Sequence, residues 1–162
     1  MRDLIVRQVM PVDLRATAEL LVHSFRQRGH TIDAGQVRNA VQAVLEDSQR
    51  VLVIGAYHEN QPGFAHGKMV GILVMNVLTR VELAGQVGWI ETLFVRPDYR
   101  RHGLGERMLK QALDWSAARG LRGLDLEVGD GSDPEAAGRL YDKHGFRTVR
   151  STHLSRSLVT PQ

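Results

Sequence analysis

The chain has 162 residues, 43% of them hydrophobic and 24% charged, the proportions of a soluble globular protein with a single core. It contains no cysteine, which excludes a disulfide framework, a thiolate nucleophile and a cysteine-ligated metal site. The net charge of +3 is carried almost wholly by arginine, with lysine only at 68, 110 and 143. Arginine suits phosphate and carboxylate partners, yet the basic residues are scattered and aromatics make up 6%, unlike the dense basic, aromatic-interleaved surface of a nucleic-acid binder. No apolar run is long enough to span a bilayer, and Met1 to Met10 lacks the apolar core of a secretion signal. These features lead to the expectation of one domain over residues 1–162 with a loose tail from Ser155, located in the cytoplasm, with neither nucleic acid nor membrane as partner.

Leu4 to Val9 reads as a first strand. Pro11-Val12-Asp13 opens a helix with Asp13 as its expected N-cap and Leu14, Ala18, Leu21, Val22 and Phe25 on one face; Gly29 ends it. Asp33 to Leu45 reads as a second helix, capped by Asp33, with Val37, Ala40, Val41, Val44 and Leu45 as its stripe. Val51 to Tyr57 is a strand, His58 to Lys68 a loop, Met69 to Leu78 a long strand with Gly71 as a bulge position, and Val87 to Val95 the next strand after a turn at Ala84-Gly85. Pro97-Asp98-Tyr99 breaks that strand. Leu104 to Arg119 is an amphipathic helix with Leu104, Met108, Ala112 and Trp115 in one line, stopped by Gly120. Leu124 to Val128 alternates as a strand and Gly129 to Asp133 is a polar loop. Pro134 to His144 is a short helix closed by Gly145, with Asp133 as its cap. Phe146 to Leu154 reads as a last strand. The order is β-α-α-β-β-β-α-β-α-β. The strand–helix–strand unit from Val87 to Val128 requires a parallel pair, so the expected class is α+β, a mixed sheet with helices on both faces.

The most informative segment runs from Val95 to Glu106. A strand ends, a polar turn with Arg100, Arg101 and His102 follows, and a long helix begins at Gly103-Leu104-Gly105. Helix N-termini present N–H groups that lack intrahelical partners, glycine lets backbone approach an anion, and arginine adds charged donors. The segment lacks the Gly-Lys-Ser/Thr ending of a P-loop and the first glycine of a dinucleotide fingerprint. On glycine spacing alone, tight helix–strand packing explains Gly103 and Gly105 equally well.

Arg100-Arg101-His102-Gly103-Leu104-Gly105 matches the Q/R-x-x-G-x-G/A signature of the GNAT acetyltransferase superfamily. Ile90-Glu91-Thr92-Leu93-Phe94-Val95-Arg96-Pro97-Asp98-Tyr99 resembles that family's central strand and its exit. Leu126-Glu127-Val128 and Leu140-Tyr141-Asp142-Lys143-His144-Gly145-Phe146 resemble its later strand and the end of its last helix. The three motifs follow in the family's order. One departure is Asp133-Pro134-Glu135-Ala136 where the family often begins that helix with asparagine, which puts an amide contact to the cofactor in doubt. The resemblance implies a GNAT-like fold with acetyl-CoA as co-substrate and no metal. It further implies that the strand backbone at Leu93, Phe94 and Val95 lies along the pantetheine arm. The N–H groups from Arg101 through His102, Gly103, Leu104 and Gly105 to Glu106 then take the pyrophosphate, with Arg100 or Arg101 at the ribose phosphate.

The same resemblance implies an amine acceptor, small molecule or peptide. An ammonium must lose a proton before it attacks a thioester, and Glu91 is the candidate general base; a half-exposed glutamate paired with arginine is the alternative. Tyr141 is the candidate acid to the leaving thiolate, against the alternative of a core aromatic with a surface hydroxyl. With neither cysteine nor a Gly-x-Ser-x-Gly elbow, direct acyl transfer is expected. The family shapes its acceptor pocket from the first two helices and the loop after the second strand, where Phe25, His30 and Phe64 are lining candidates and Glu19, Glu59 and Glu82 are carboxylates able to attract a cation. The seven histidines form no metal-ligand spacing, and His58 and His66 are expected to be solvated loop residues. A homodimer is common in the family. The alternative reading is a non-catalytic acyl-CoA-binding module of the same fold, against which Glu91 and Tyr141 both argue.

Overall fold

The computed structural model describes residues 3–128, 134–149 and 156. The chain forms two compact units, Met1–Gly131 and Ser132–Gln162.

The first unit is built on a five-stranded sheet in the order β1-β2-β3-β4-β5, with β1 Leu4–Gln8, β2 Val51–His58, β3 Lys68–Arg80, β4 Gly85–Val95 and β5 Leu124–Leu126. Neighbours are antiparallel from β1 to β4, and β4 and β5 are parallel, as the intervening crossover helix requires. The helices of this unit are α1 Leu14–Gln27, α2 Ala34–Glu46 and α3 Leu104–Ala118. Alternation along β3 assigns the faces. Ile72 and Val74 join Leu20, Leu21, Val22, Val37 and Val41 of α1 and α2 in one apolar cluster, whereas Met75 points to the other face and meets Ser116 of α3. There α3 buries Leu104, Met108, Leu109 and Ala112 completely; burying each large side chain is worth roughly 1.5–3 kcal/mol.

Two caps differ from one another. Asp33 caps α2 as expected, accepting from the Gln36 N–H at 2.8 Å. Asp13 does not cap α1. Its side chain turns back across a 3-10 turn over Pro11–Asp13, accepting from the Met10 N–H at 2.9 Å and from both terminal nitrogens of Arg7 at 2.7 and 3.1 Å. The Arg7 guanidinium in turn lies 3.8 Å above the Tyr57 ring. A bidentate charged partner on β1 outcompetes a local cap because it satisfies both carboxylate oxygens of a nearly buried group. Burial pushes the Asp13 carboxyl up, but the Arg7 and Met10 hydrogen bonds outweigh it and hold the group below its ordinary value.

Two irregularities shape the sheet. Between β2 and β3 the register passes over Val70, beside Gly71. Between β3 and β4 it runs from Val74↔Thr92 to Met75↔Ile90, so Glu91 is an extra residue on β4, a β-bulge.

The second unit contains α4, Pro134–Lys143, with an ion pair between Arg139 and Glu135 at 3.7 Å. Its end is closed by two backbone bonds, Gly145 N–H to the Asp142 carbonyl at 3.1 Å and Phe146 N–H to the Tyr141 carbonyl at 3.0 Å. Gly145 sits at φ 80°, a conformation natural to glycine, and the paired bonds make a Schellman motif. The strand expected over Phe146 to Leu154 does not begin as predicted: Phe146 to Val149 carry no regular structure. The rest of it lies outside the described residues, as do the expected cap at Asp133, the loop before it and the tail from Ser155, except Arg156.

Candidate acyl-transfer site

The site grows from the way β4 ends. The parallel strand β5 pairs with Gly88, Trp89 and Ile90, so from the bulge onward β4 has β3 on one side and, among the described residues, no strand on the other. The Arg96 N–H donates to the Val70 carbonyl at 2.8 Å. By antiparallel alternation, Phe94 and Thr92 direct their backbone groups toward β3, while Leu93 and Val95 direct theirs to the open side. The Val95 carbonyl confirms this, since it accepts from Arg100 Nε at 3.1 Å. Backbone groups on such an edge need partners, and an extended amide-bearing chain supplies them in the manner of an added strand. Leu93 and Val95 therefore carry the backbone groups on the open side of β4. Phe94, grouped with them from the sequence, sends its side chain to the α1–α2 face, where its ring meets His23 edge-on at 6.1 Å.

Beyond Val95 a 3-10 turn over Pro97–Tyr99 leads to Arg100 in extended backbone, Arg101 at φ 63° and Gly103 at φ 71°, followed directly by the first helical residue, Leu104. The α3 N-cap is glycine and offers no side-chain acceptor to the helix start. The first intrahelical bond is from the Arg107 N–H to the Gly103 carbonyl at 3.0 Å. The N–H groups of Leu104 and Gly105 thus emerge from the helix start into a left-handed-then-helical concavity, a geometry that binds anions. A Cβ placed on Gly103 would meet nothing within 4 Å, so packing does not explain this glycine. What it supplies is the positive φ and the open approach.

The turn is braced by residues whose role sequence reasoning missed. His102 Nδ1 lies 2.8 Å from the Arg100 carbonyl and 3.2 Å from the Tyr99 carbonyl. Both partners are acceptors, so Nδ1 carries the proton in this arrangement. His58 is not a solvated loop residue: it ends β2, its Nδ1 lies 3.1 Å from the Tyr99 hydroxyl, its Nε2 lies 3.1 Å from Gln61 Nε2, and its ring stands edge-on to Tyr99. The sequence signal was faint, since 41 residues separate the pair. His66 lies between β2 and β3 and offers its carbonyl to Arg7.

Glu91 is exposed, and the bulge sets its direction. Its Oε2 accepts from Asn76 Nδ2 at 2.9 Å. Asn76 follows Ile72 and Val74 at two-residue steps along β3, so it projects on the α1–α2 face. Among the described residues the carboxylate is held by this amide and forms no ion pair with an arginine. Tyr141 lies in the second unit, where the Schellman motif sets its ring edge-on to Phe146 with centroids 5.6 Å apart. Burial holds its phenol above the ordinary value, so it is protonated at neutral pH and able to donate.

On the α1–α2 side lies a cavity of about 780 Å³, walled by Arg15, Glu19, His23 and Arg26 of α1 and Arg38 of α2 over an apolar floor that includes Val22. Of the pocket candidates from the sequence, Glu19 lines this cavity and pairs with Arg15 at 2.8 Å. Glu82 pairs with Arg80, Phe25 packs against the core cluster, and His30, Glu59 and Phe64 are exposed. Among the described residues, no group of three or more His, Asp or Glu side chains could hold a metal ion, and no helix is long and apolar enough to cross a membrane.

An open strand edge running into a glycine-started helix suits an extended amide-bearing chain that ends in an anion. The family model described as acetyltransferase (GNAT) family matches residues 15–146, and the chain belongs to that family, whose co-substrate is acetyl-CoA. It is 28% identical over 147 residues, 90% of each chain, to a glucosamine 6-phosphate N-acetyltransferase of Trypanosoma brucei brucei. Its fold is similar to a ribosomal-protein-alanine N-acetyltransferase of Brucella melitensis biovar Abortus, with a TM-score of 0.70 at 17% identity over 95% of this chain and 99% of that one. An aminoglycoside acetyltransferase from an uncultured soil metagenome, solved with sisomicin, gives 0.72 at 17% identity over 97% of each.

Proposed function

We propose that the chain transfers the acetyl group of acetyl-CoA directly to the primary amine of a small-molecule acceptor. The observation that carries this reading is the β4 edge. The bulge at Glu91 sets a carboxylate on the α1–α2 face, shortly before Leu93 and Val95, whose backbone groups on the open side of the strand suit the pantetheine arm. That arm then runs toward the N–H groups at Gly103 to Gly105, with Arg100 and Arg101 beside the phosphates.

In this reading Glu91, directly or through a water, takes the proton from the ammonium and frees the lone pair. The amine attacks the thioester carbon. A backbone N–H at Leu93 stabilises the oxyanion. The carbon–sulfur bond breaks, the Tyr141 phenol gives its proton to the departing thiolate and regains one lost by the new amide nitrogen through solvent, and Glu91 returns its proton to water; coenzyme A leaves as the thiol while the neutral amide stays on the acceptor. The relative that acts on glucosamine 6-phosphate makes amino sugars the first acceptors to try. The test is coenzyme A release with a panel of amines for wild type and Glu91→Gln. Tight cofactor binding with no transfer to any amine would favour the non-catalytic module.

A further inference from the structure

We infer that the acceptor carries an oxyanion, phosphate or carboxylate, besides its amine, and that Arg26 and Arg38 bind it in the α1–α2 cavity. This rests on the acyl-transfer reading of the site. The cavity, at about 780 Å³, falls within the range of small-molecule sites. It brings together three arginines and one glutamate. Glu19 is engaged by Arg15, while Arg26 and Arg38, on different helices, form no ion pair among the described residues. Two guanidinium groups lining one cavity leave it with an excess of positive charge, and their planar forks fit an oxyanion bidentately. A free cationic amine would be disfavoured in that cavity, so the amine end of the acceptor must lie elsewhere. His23 shows where. It lines the cavity and touches Phe94, the residue between Leu93 and Val95. The anion-binding wall is thus one ring pair away from the β4 edge, on the same face of the sheet as the Glu91 carboxylate. An acceptor anchored by its anion at Arg26 and Arg38 presents its amine toward that carboxylate.

The test reads binding directly. The full chain with saturating coenzyme A is titrated by calorimetry with glucosamine, glucosamine 6-phosphate and glutamate. At least one of the two anionic amines should bind on the order of 10- to 100-fold tighter than glucosamine, and which one does so separates a phosphate site from a carboxylate site. Arg26→Gln and Arg38→Gln should each remove most of that preference, and Arg38→Lys, which keeps the charge but not the fork, should restore part of it. Equal binding of all three ligands, or a preference that survives both glutamine variants, overturns the inference. Acetyl transfer without anion preference counts against this site alone, while anion binding without transfer to any amine counts against the proposed reaction alone.

Discussion

Replacing Gly103 with valine separates the folding role of this glycine from its ligand role. Gly103 lies at φ 71°, where a residue with a Cβ costs roughly 1–2 kcal/mol and a β-branched one sits at the upper end. Its surroundings add nothing to that cost, because a Cβ would meet no atom within 4 Å. The expected loss in stability is therefore confined to the backbone term, a fall in Tm of about 2–8 °C for a chain of this size, with the circular dichroism of the folded state retained. The cofactor should suffer far more. A branched side chain at the start of α3 fills the approach to the Leu104 and Gly105 N–H groups, and losing two hydrogen bonds to a charged phosphate is worth about 3 kcal/mol or more, on the order of 100-fold in affinity. Calorimetry with coenzyme A reads the affinity and a thermal melt without ligand reads the stability. Gly103→Ala shares the φ cost without the branch and should retain part of the affinity. If Gly103→Val binds coenzyme A like wild type, the pyrophosphate does not lie at this turn.

Glu91→Gln keeps the shape and the Asn76 contact partner while removing the base, so kcat should fall about 10²- to 10⁴-fold with coenzyme A affinity unchanged; an unaltered kcat would return Glu91 to the role of a surface carboxylate. Tyr141→Phe keeps the ring pair with Phe146 but not the proton, and steady-state kinetics should show kcat reduced by at least roughly tenfold with the helical signal intact. Asp13→Asn should lower stability at neutral pH by about 1–3 kcal/mol, since it weakens a charged hydrogen-bond pair. The folded carboxyl titrates below its unfolded value, so its contribution is complete above about pH 4 and is lost as the pH falls through the depressed folded value. Urea melts from neutral to strongly acidic pH should show the wild-type and Asp13→Asn curves converging at the acid end, and a constant gap would contradict the Arg7–Asp13 assignment.

The parts of the site legible in the sequence are those written in local chemistry. The order of elements from β1 to α4, the α3 stripe, the Asp33 cap and the glycine at 145 depend on residues a few positions apart, and each is readable from spacing. The Tyr141 motif gains a physical reason from the structure, since a Gly145 closure with Tyr141 and Phe146 at its two ends requires that order of residue types. What escaped depends on cross-strand register and distant pairing. The bulge that isolates Glu91 exists only once Val74 and Met75 have chosen their partners on β4. Asp13 looked like a cap until Arg7 claimed it, and His58 looked like loop until β2 extended to reach Tyr99. The arginine wall of the α1–α2 cavity was likewise invisible, because Arg26 and Arg38 sit on separate helices and read individually as ordinary surface charge.

The central claim is that β4 and the start of α3 together hold acetyl-CoA, and a crystal structure of the chain grown with coenzyme A tests it most directly. The pyrophosphate is expected within hydrogen-bond distance of the backbone N–H groups at Leu104 and Gly105, and the pantetheine amides paired with Leu93 and Val95. Coenzyme A bound at any other surface, with that strand edge left to solvent, would contradict it.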